Sequence, residues 1–116
     1  MKGTVLVADD DAAIRTVVSQ ALSRAGYDVR VTSNASTLWR WVTAGEGDVV
    51  VSDVVMPGVS GFELIRELRK DRPNLPALLM TGYTEPGSGD EDLDVEVLRK
   101  PFDATDLVRR VGALLT

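Results

Sequence analysis

The sequence contains neither cysteine nor histidine. Without cysteine the chain forms no disulfide and offers no thiolate as a nucleophile or soft-metal ligand. Without histidine it lacks the most common general base, transition-metal ligand and phosphoryl carrier among side chains. Any chemistry in this chain therefore uses carboxylates, lysine, hydroxyl groups and the backbone, and a phosphohistidine has to come from another molecule.

Positive charge and long apolar segments are also scarce. The 13 Lys and Arg residues are outnumbered by 18 Asp and Glu, giving a formal net charge of −5. This balance disfavours direct nucleic-acid binding, whose affinity is dominated by Lys and Arg on phosphates. No apolar run approaches the ~20 residues of a membrane-spanning helix, and no signal peptide precedes the first strand pattern. We therefore expect a cytoplasmic protein that binds neither membrane nor nucleic acid.

The amino-acid composition is that of one globular domain. Of its 116 residues, 44% are hydrophobic and 27% are charged, which suffices to bury a core. Strand and helix patterns alternate along residues 1–116, without an internal repeat or a linker. This alternation predicts a single α/β domain with a doubly wound, five-stranded parallel sheet. The predicted strands are residues 4–8, 27–32, 48–52, 77–80 and 95–98.

One connection departs from the alternation. Residues 84–94 join the fourth and fifth predicted strands and contain five acids, two glycines and a single strong apolar residue, Leu93. Such a segment cannot form an amphipathic face. We therefore predict that the fourth of five helices is short, disordered or missing.

Residues that handle charge follow three of the predicted strands. Asp9 and Asp10 follow the first strand, Asp53 follows the third and Lys100 follows the fifth. Because the carboxyl ends of parallel strands converge in one crevice, we expect these side chains to share a pocket. Clustered carboxylates raise one another's pKa unless a cation compensates, and their hard oxygens favour Mg²⁺ or Mn²⁺. The pattern predicts a site for a divalent cation and a phosphoryl group.

Each candidate residue also has a purely structural interpretation. Asp53 is compatible with a helix cap or a turn, Lys100 with a free surface lysine, and Thr81 with a β-branched strand end. Asp11, by contrast, is assigned to capping of the first helix in preference to its two acidic neighbours. A nucleophilic Asp53 would form an acyl phosphate, which divides one difficult transfer into two steps.

Four motifs at these strand ends resemble the receiver domains of two-component response regulators, which have a flavodoxin-like or CheY-like (βα)5 fold. The motifs lie at residues 7–11, 52–58, 80–82 and 99–102. Each is weak alone, but the four occur in order at the expected strand ends. The first half of the chain is most similar to regulators of the nitrogen-regulation class, and the second half to receivers of hybrid histidine kinases.

The resemblance implies Mg²⁺-dependent transfer of a phosphoryl group from phosphohistidine to Asp53. The metal ion, Mg²⁺ or Mn²⁺, would be held by Asp10 and Asp53 directly, by Asp9 through water, and by the backbone carbonyl of Val55. It also implies that the domain catalyses its own phosphorylation and dephosphorylation and does not act as an enzyme that turns over a separate substrate.

The resemblance further assigns roles to the lysine and the hydroxyl group. Lys100, beside a cis peptide bond to Pro101, would pair with Asp53 and then with a phosphoryl oxygen. Thr81 would donate its hydroxyl to the phosphoryl group, and Gly82 would leave room for its approach. The implied partners are a histidine kinase or a histidine phosphotransfer protein in trans, together with an output domain or a second copy of the chain.

Other functions have to be weighed against this one. A receiver-fold module used only for protein binding, with little phosphorylation, stays open. A haloacid-dehalogenase-like phosphohydrolase needs a second acid two residues after Asp53, where Val55 stands. A nucleotide-binding module needs a glycine-rich loop after the first strand, where the acidic residues 9–11 would repel phosphates.

Overall fold

The computed structural model describes residues 2–82 and 95–116 and contains a five-stranded parallel sheet in the order β2-β1-β3-β6-β7. The strands of this sheet are β1 Thr4–Ala8, β2 Asp28–Thr32, β3 Val49–Asp53, β6 Ala77–Thr81 and β7 Glu96–Arg99. The helices in the described ranges are α1 Ala12–Arg24, α2 Ala35–Thr43, α3 Gly61–Asp71 and α4 Ala104–Leu114. The predicted doubly wound α/β sheet is confirmed.

The fourth of the five helices, predicted to be short, disordered or missing, falls on residues that the structure does not describe. Residues 83–94 lie outside the described ranges. Within those ranges, none of the helices has the length and apolar character needed to cross a membrane.

Successive strand residues alternate between two apolar cores, one on each face of the sheet. Val5 and Val7 pack with α1 and α4, whereas Leu6 and Ala8 pack with α2 and α3. The same alternation holds along β3, where every residue is buried. Burial on both faces explains why β1 and β3 read as continuous apolar runs in the sequence.

Local sequence signals set the helix starts. Asp11 caps α1, accepting a hydrogen bond from the Ala13 N–H at 2.9 Å, as predicted. Asn34, Ser60 and Asp103 cap the other three described helices in the same way. These caps satisfy N–H groups that lack an intrahelical partner.

The segment between β3 and α3 contains a small antiparallel hairpin. β4 (Val55–Met56) pairs with β5 (Val59–Ser60) in antiparallel register, and Gly58 turns the chain with a φ of 85°. The hairpin returns the chain to β3, where the Gly61 N–H donates to the Val54 carbonyl at 2.6 Å. A Cβ on Gly61 would lie 2.5 Å from the Asp53 carbonyl oxygen, so only glycine permits this approach.

Candidate functional site

The predicted site residues lie at the carboxyl edge of four adjacent strands. Asp53 and Thr81 are the last residues of β3 and β6, one residue beyond the predicted strand ends, while Asp9 and Lys100 directly follow β1 and β7. One carboxylate oxygen from each of Asp9, Asp10 and Asp53 lies within 4.8 Å of the others. The structure thus brings the three acids together, as the convergence of parallel strands requires.

Asp9 is fully buried, and hydrogen bonds hold its carboxylate on both oxygens. Oδ1 accepts from the Asp11 N–H at 2.9 Å, and Oδ2 accepts from Lys100 Nζ at 3.0 Å. Asp10, the next residue, is exposed. The turn after β1 therefore places two neighbouring carboxylates in the same cluster. One of them, Asp9, is buried, and the other, Asp10, faces solvent.

Asp53 is also nearly buried, with 8% of its surface exposed. Its Oδ1 accepts from the Val55 N–H at 3.2 Å, and its Oδ2 lies 3.4 Å from Lys100 Nζ. Burial raises the pKa of the Asp53 carboxyl above its ordinary 3.8, and the charge of Asp9 adds to the rise. The Val55 and Lys100 contacts oppose this shift without cancelling it. The hydrogen bond from Val55 and the charge of Lys100 therefore do not fully offset the effect of burying the Asp53 carboxylate.

Lys100 bridges the two buried acids. Its backbone N–H donates to the Thr81 carbonyl at 2.7 Å. The Lys100–Pro101 peptide bond is cis, as the resemblance implies. Burial lowers the pKa of the Lys100 ammonium, but the hydrogen bond and charge of Asp9, followed by those of Asp53, outweigh burial and raise it. The ammonium is nearer to Asp9 than to Asp53, which the sequence had named as its partner.

The residues expected around the phosphoryl group differ in exposure. Thr81 is 6% exposed, and a Cβ placed on the next residue, Gly82, would meet no atom of the described residues within 4 Å. The Val55 side chain is 62% exposed. The roles expected of Gly82 and of the Val55 carbonyl stay predictions.

The donor set fits a hard divalent cation. Three carboxylates meet within 4.8 Å, and Lys100 is the cation that contacts two of them among the described residues. Carboxylate oxygens are the preferred protein ligands of Mg²⁺, which also tolerates water in its remaining positions. Asp9, Asp10 and Asp53 can therefore serve as ligands for this ion.

Sequence reasoning missed two residues of this region, Gly61 and Arg15. Gly61 lets α3 begin against β3, and the Arg15 guanidinium donates to the Asp9 carbonyl at 2.8 Å. The glycine eight residues after Asp53 is a sequence signal for a close backbone approach. Arg15 carries no comparable signal, because an arginine in the first turns of a helix is ordinary.

The parallel sheet, its order and the acidic edge define the class of receiver-like α/β domains. Residues 5–112 match the family model of the response regulator receiver domain. The chain belongs to this family, which confirms the resemblance drawn from the four motifs.

Curated relatives of this chain include DNA-binding transcriptional regulators named NtrC. The chain is 55% identical over 115 residues to the DNA-binding transcriptional regulator NtrC of Rhizobium meliloti, covering 97% of this chain and 24% of that protein. It is 49% identical to NtrC of Azospirillum brasilense, with the same coverage of 97% and 24%. The chain thus spans about a quarter of the length of these relatives.

Solved receiver structures share the fold along nearly the whole chain. The response regulator receiver protein from Sinorhizobium medicae is 28% identical with a TM-score of 0.85, covering 97% of this chain and 93% of that chain. The receiver domain of the hybrid histidine kinase CckA is 29% identical with a TM-score of 0.82, covering 98% and 100%. Regulators named NtrC and a hybrid-kinase receiver are both among the matches.

Proposed function

We propose that this receiver domain accepts a phosphoryl group on Asp53 from the phosphohistidine of a histidine kinase or histidine phosphotransfer protein acting in trans. The supporting observation is the placement of the Lys100 ammonium 3.0 Å from Asp9 and 3.4 Å from Asp53, inside a cluster of three carboxylates. A nucleophilic carboxylate, a cation beside it and ligands for a second cation are the groups that phosphoryl transfer needs.

In the transfer step, an Asp53 carboxylate oxygen forms a bond to phosphorus while the bond between phosphorus and the donor imidazole nitrogen breaks. The electron pair of the broken bond stays on the imidazole. Lys100 then donates to a phosphoryl oxygen, which it reaches from its position beside Asp53. A preorganised ammonium in a partly buried site stabilises the charge that the step places there.

The metal ligands in this proposal are Asp9, Asp10, Asp53 and the carbonyl of Val55. Mg²⁺, or Mn²⁺ in its place, supplies positive charge that neutralises phosphoryl oxygens when it is bound. The three acids bring a charge of −3 that Lys100 only partly offsets. The remaining negative charge explains why the site would favour a divalent cation.

The signal would leave the site through Thr81. Its hydroxyl would donate to a phosphoryl oxygen, and the accompanying movement would change a protein-binding surface read by an output domain or a second copy of the chain. Because the NtrC relatives are named as DNA-binding transcriptional regulators, we propose transcription as the regulated process. Direct DNA contact by this chain is not part of the proposal, given its net charge of −5, and its cytoplasmic location stays a prediction.

The proposal is tested by incubating the chain with acetyl phosphate and Mg²⁺ and measuring intact mass. The unmodified chain should gain one base-labile phosphoryl group, and Asp53→Asn should lose this gain entirely while staying folded. Asp28→Asn, a matched control at an exposed aspartate on β2, should be phosphorylated normally.

Three results would contradict the proposal. A persistent gain in Asp53→Asn would place the phosphoryl group elsewhere. No gain in the unmodified chain with either the small donor or a phosphorylated histidine protein would favour the alternative, a receiver-fold module used only for binding. Release of phosphate with multiple turnover would favour a phosphohydrolase, although Val55 stands where that class needs an acid.

A further inference from the structure

Every backbone and carboxylate polar group of Asp9 has a partner in the structure. The N–H donates to the Thr32 carbonyl at 3.2 Å, and the carboxylate accepts from the Asp11 N–H and Lys100. The remaining group, the Asp9 carbonyl, accepts from Arg15 Nη1 at 2.8 Å. Asp9 is thus fixed at four points, and one of them is a side chain from α1.

Arg15 holds the acidic turn in two ways. Its backbone N–H donates to the Asp11 carbonyl at 3.1 Å, which belongs to the first turn of α1. Its side chain reaches back six residues to the Asp9 carbonyl, where it is partly buried. Residues 9–11 are therefore held between the end of β1 and the guanidinium, with Asp9 directed inward and Asp10 exposed.

We propose that Arg15 is a positioning residue for the divalent-cation site. By holding the Asp9 carbonyl, it fixes the turn in which the carboxylates of Asp9 and Asp10 both reach the cluster with Asp53. This inference rests on the proposed function, because it concerns the affinity of the same acidic site for Mg²⁺. Residues that orient metal ligands typically change metal affinity about 10- to 100-fold when they are substituted.

Positioning and charge predict opposite effects at Arg15. The guanidinium is permanently charged and lies next to an acidic cluster, so its charge alone opposes the binding of a second cation. Removing only this charge would tighten Mg²⁺ binding. Removing the hydrogen bond leaves the carbonyl of a fully buried residue without its donor and frees the turn. Weaker binding after substitution can therefore not be explained by charge.

The test compares Arg15→Met with Arg24→Met in the whole chain. Methionine keeps an unbranched, mostly apolar side chain and removes the guanidinium with its charge and donors. Arg24 is an exposed arginine in the last turn of the same helix. Calorimetric titration with Mg²⁺ should give an affinity about tenfold weaker for Arg15→Met and an unchanged affinity for Arg24→Met. Arg15→Lys, which retains charge and one donor, should lie between Arg15→Met and the unmodified chain.

A second measurement separates positioning from damage to the reacting groups. Phosphorylation by acetyl phosphate should need more Mg²⁺ in Arg15→Met but should reach the unmodified rate at saturating Mg²⁺, because Arg15 contacts the Asp9 backbone and not Asp53 or Lys100. A rate that stays low at saturation would overturn the proposed role.

Equal or tighter Mg²⁺ binding by folded Arg15→Met would overturn this inference alone and leave the proposed function intact. Absence of Mg²⁺ binding in the unmodified chain would overturn both. If circular dichroism shows that Arg15→Met is unfolded, the comparison passes to Arg15→Lys and Arg24→Lys. Equal affinities in that pair would then contradict the inference.

Discussion

Two segments that follow neighbouring strands build the acidic site by different means. After β1, the turn at residues 9–11 is held by side chains, namely Lys100 on the Asp9 carboxylate and Arg15 on the Asp9 carbonyl. After β3, the chain is held by its backbone, through the hairpin of β4 and β5 and the hydrogen bond from Gly61 to Val54. The first segment delivers Asp9 and Asp10 to the cluster, and the second directly follows Asp53, the last residue of β3.

This difference indicates which substitutions each segment tolerates. A side-chain support can be weakened in steps, since each hydrogen bond contributes separately. A close backbone approach has no intermediate state, because an added Cβ either fits or displaces the neighbouring chain. We therefore expect substitutions to have graded effects in the turn after β1 and an abrupt effect at the start of α3.

The largest effect on stability is expected for Gly61→Ala. The added Cβ would lie 2.5 Å from the Asp53 carbonyl oxygen and 3.0 Å from Val54 Cα, so α3 would have to move. Overpacking of this kind costs about 1–3 kcal/mol in the free energy of unfolding, which urea denaturation would measure.

The control for this prediction is Gly82→Ala, where the new Cβ would meet no atom within 4 Å in residues 2–82 and 95–116. We expect its free energy of unfolding to change by less than about 1 kcal/mol. Equal stability of the two variants would show that the start of α3 adjusts freely, and the contrast between the two segments would then fail.

A clear but smaller effect is expected for Asp10→Ala in the turn held by side chains. Loss of an exposed carboxylate from the cluster should weaken Mg²⁺ binding by at least about tenfold and, by relieving like-charge repulsion, stabilise the metal-free protein. Calorimetry and thermal unfolding without Mg²⁺ measure the two effects.

Asp11→Ser provides the matched control for Asp10→Ala. It removes the same charge from the same turn but keeps an N-cap for α1, since serine caps helices as well as aspartate does. Its Mg²⁺ affinity should stay close to that of the unmodified chain. If both variants bind Mg²⁺ alike, net charge and not ligand identity determines affinity.

The smallest expected effect is on the pH dependence of stability. The pKa of Asp53 is raised in the folded protein, so the folded state binds more protons than the unfolded chain above about 3.8. Stability due to this group therefore falls as the pH rises from 3.8 through the folded pKa. Lys100, whose pKa is also raised, contributes stability that is present below 10.5 and is lost as the pH rises through its folded pKa.

Asp53→Asn should remove the loss of stability with rising pH that Asp53 causes. Its stability advantage over the unmodified chain should grow as the pH rises from about 3.8 through the folded pKa of Asp53, in urea titrations without Mg²⁺. An advantage of Asp53→Asn that is independent of pH would contradict the raised pKa.

Much of the fold follows from local patterns that the sequence displays. The apolar strands, the cap at Asp11 and the alternation of elements gave the parallel sheet, with strand ends shifted by one residue at Asp53 and Thr81. The hairpin after β3 was not predicted, because two-residue strands have no periodicity to detect. The prediction about the connection within residues 83–94 lies outside the described ranges.

The sequence by itself determined that acids and a lysine would meet, because residues at the carboxyl ends of parallel strands share one edge whatever their separation along the chain. Only the tertiary structure decided how they meet. Lys100 and Asp9 are 91 residues apart, and their 3.0 Å contact depends on the packing of the elements between them. The same holds for the inward Asp9 and outward Asp10, whose difference in burial depends on a turn fixed by Arg15, Thr32 and Lys100 together.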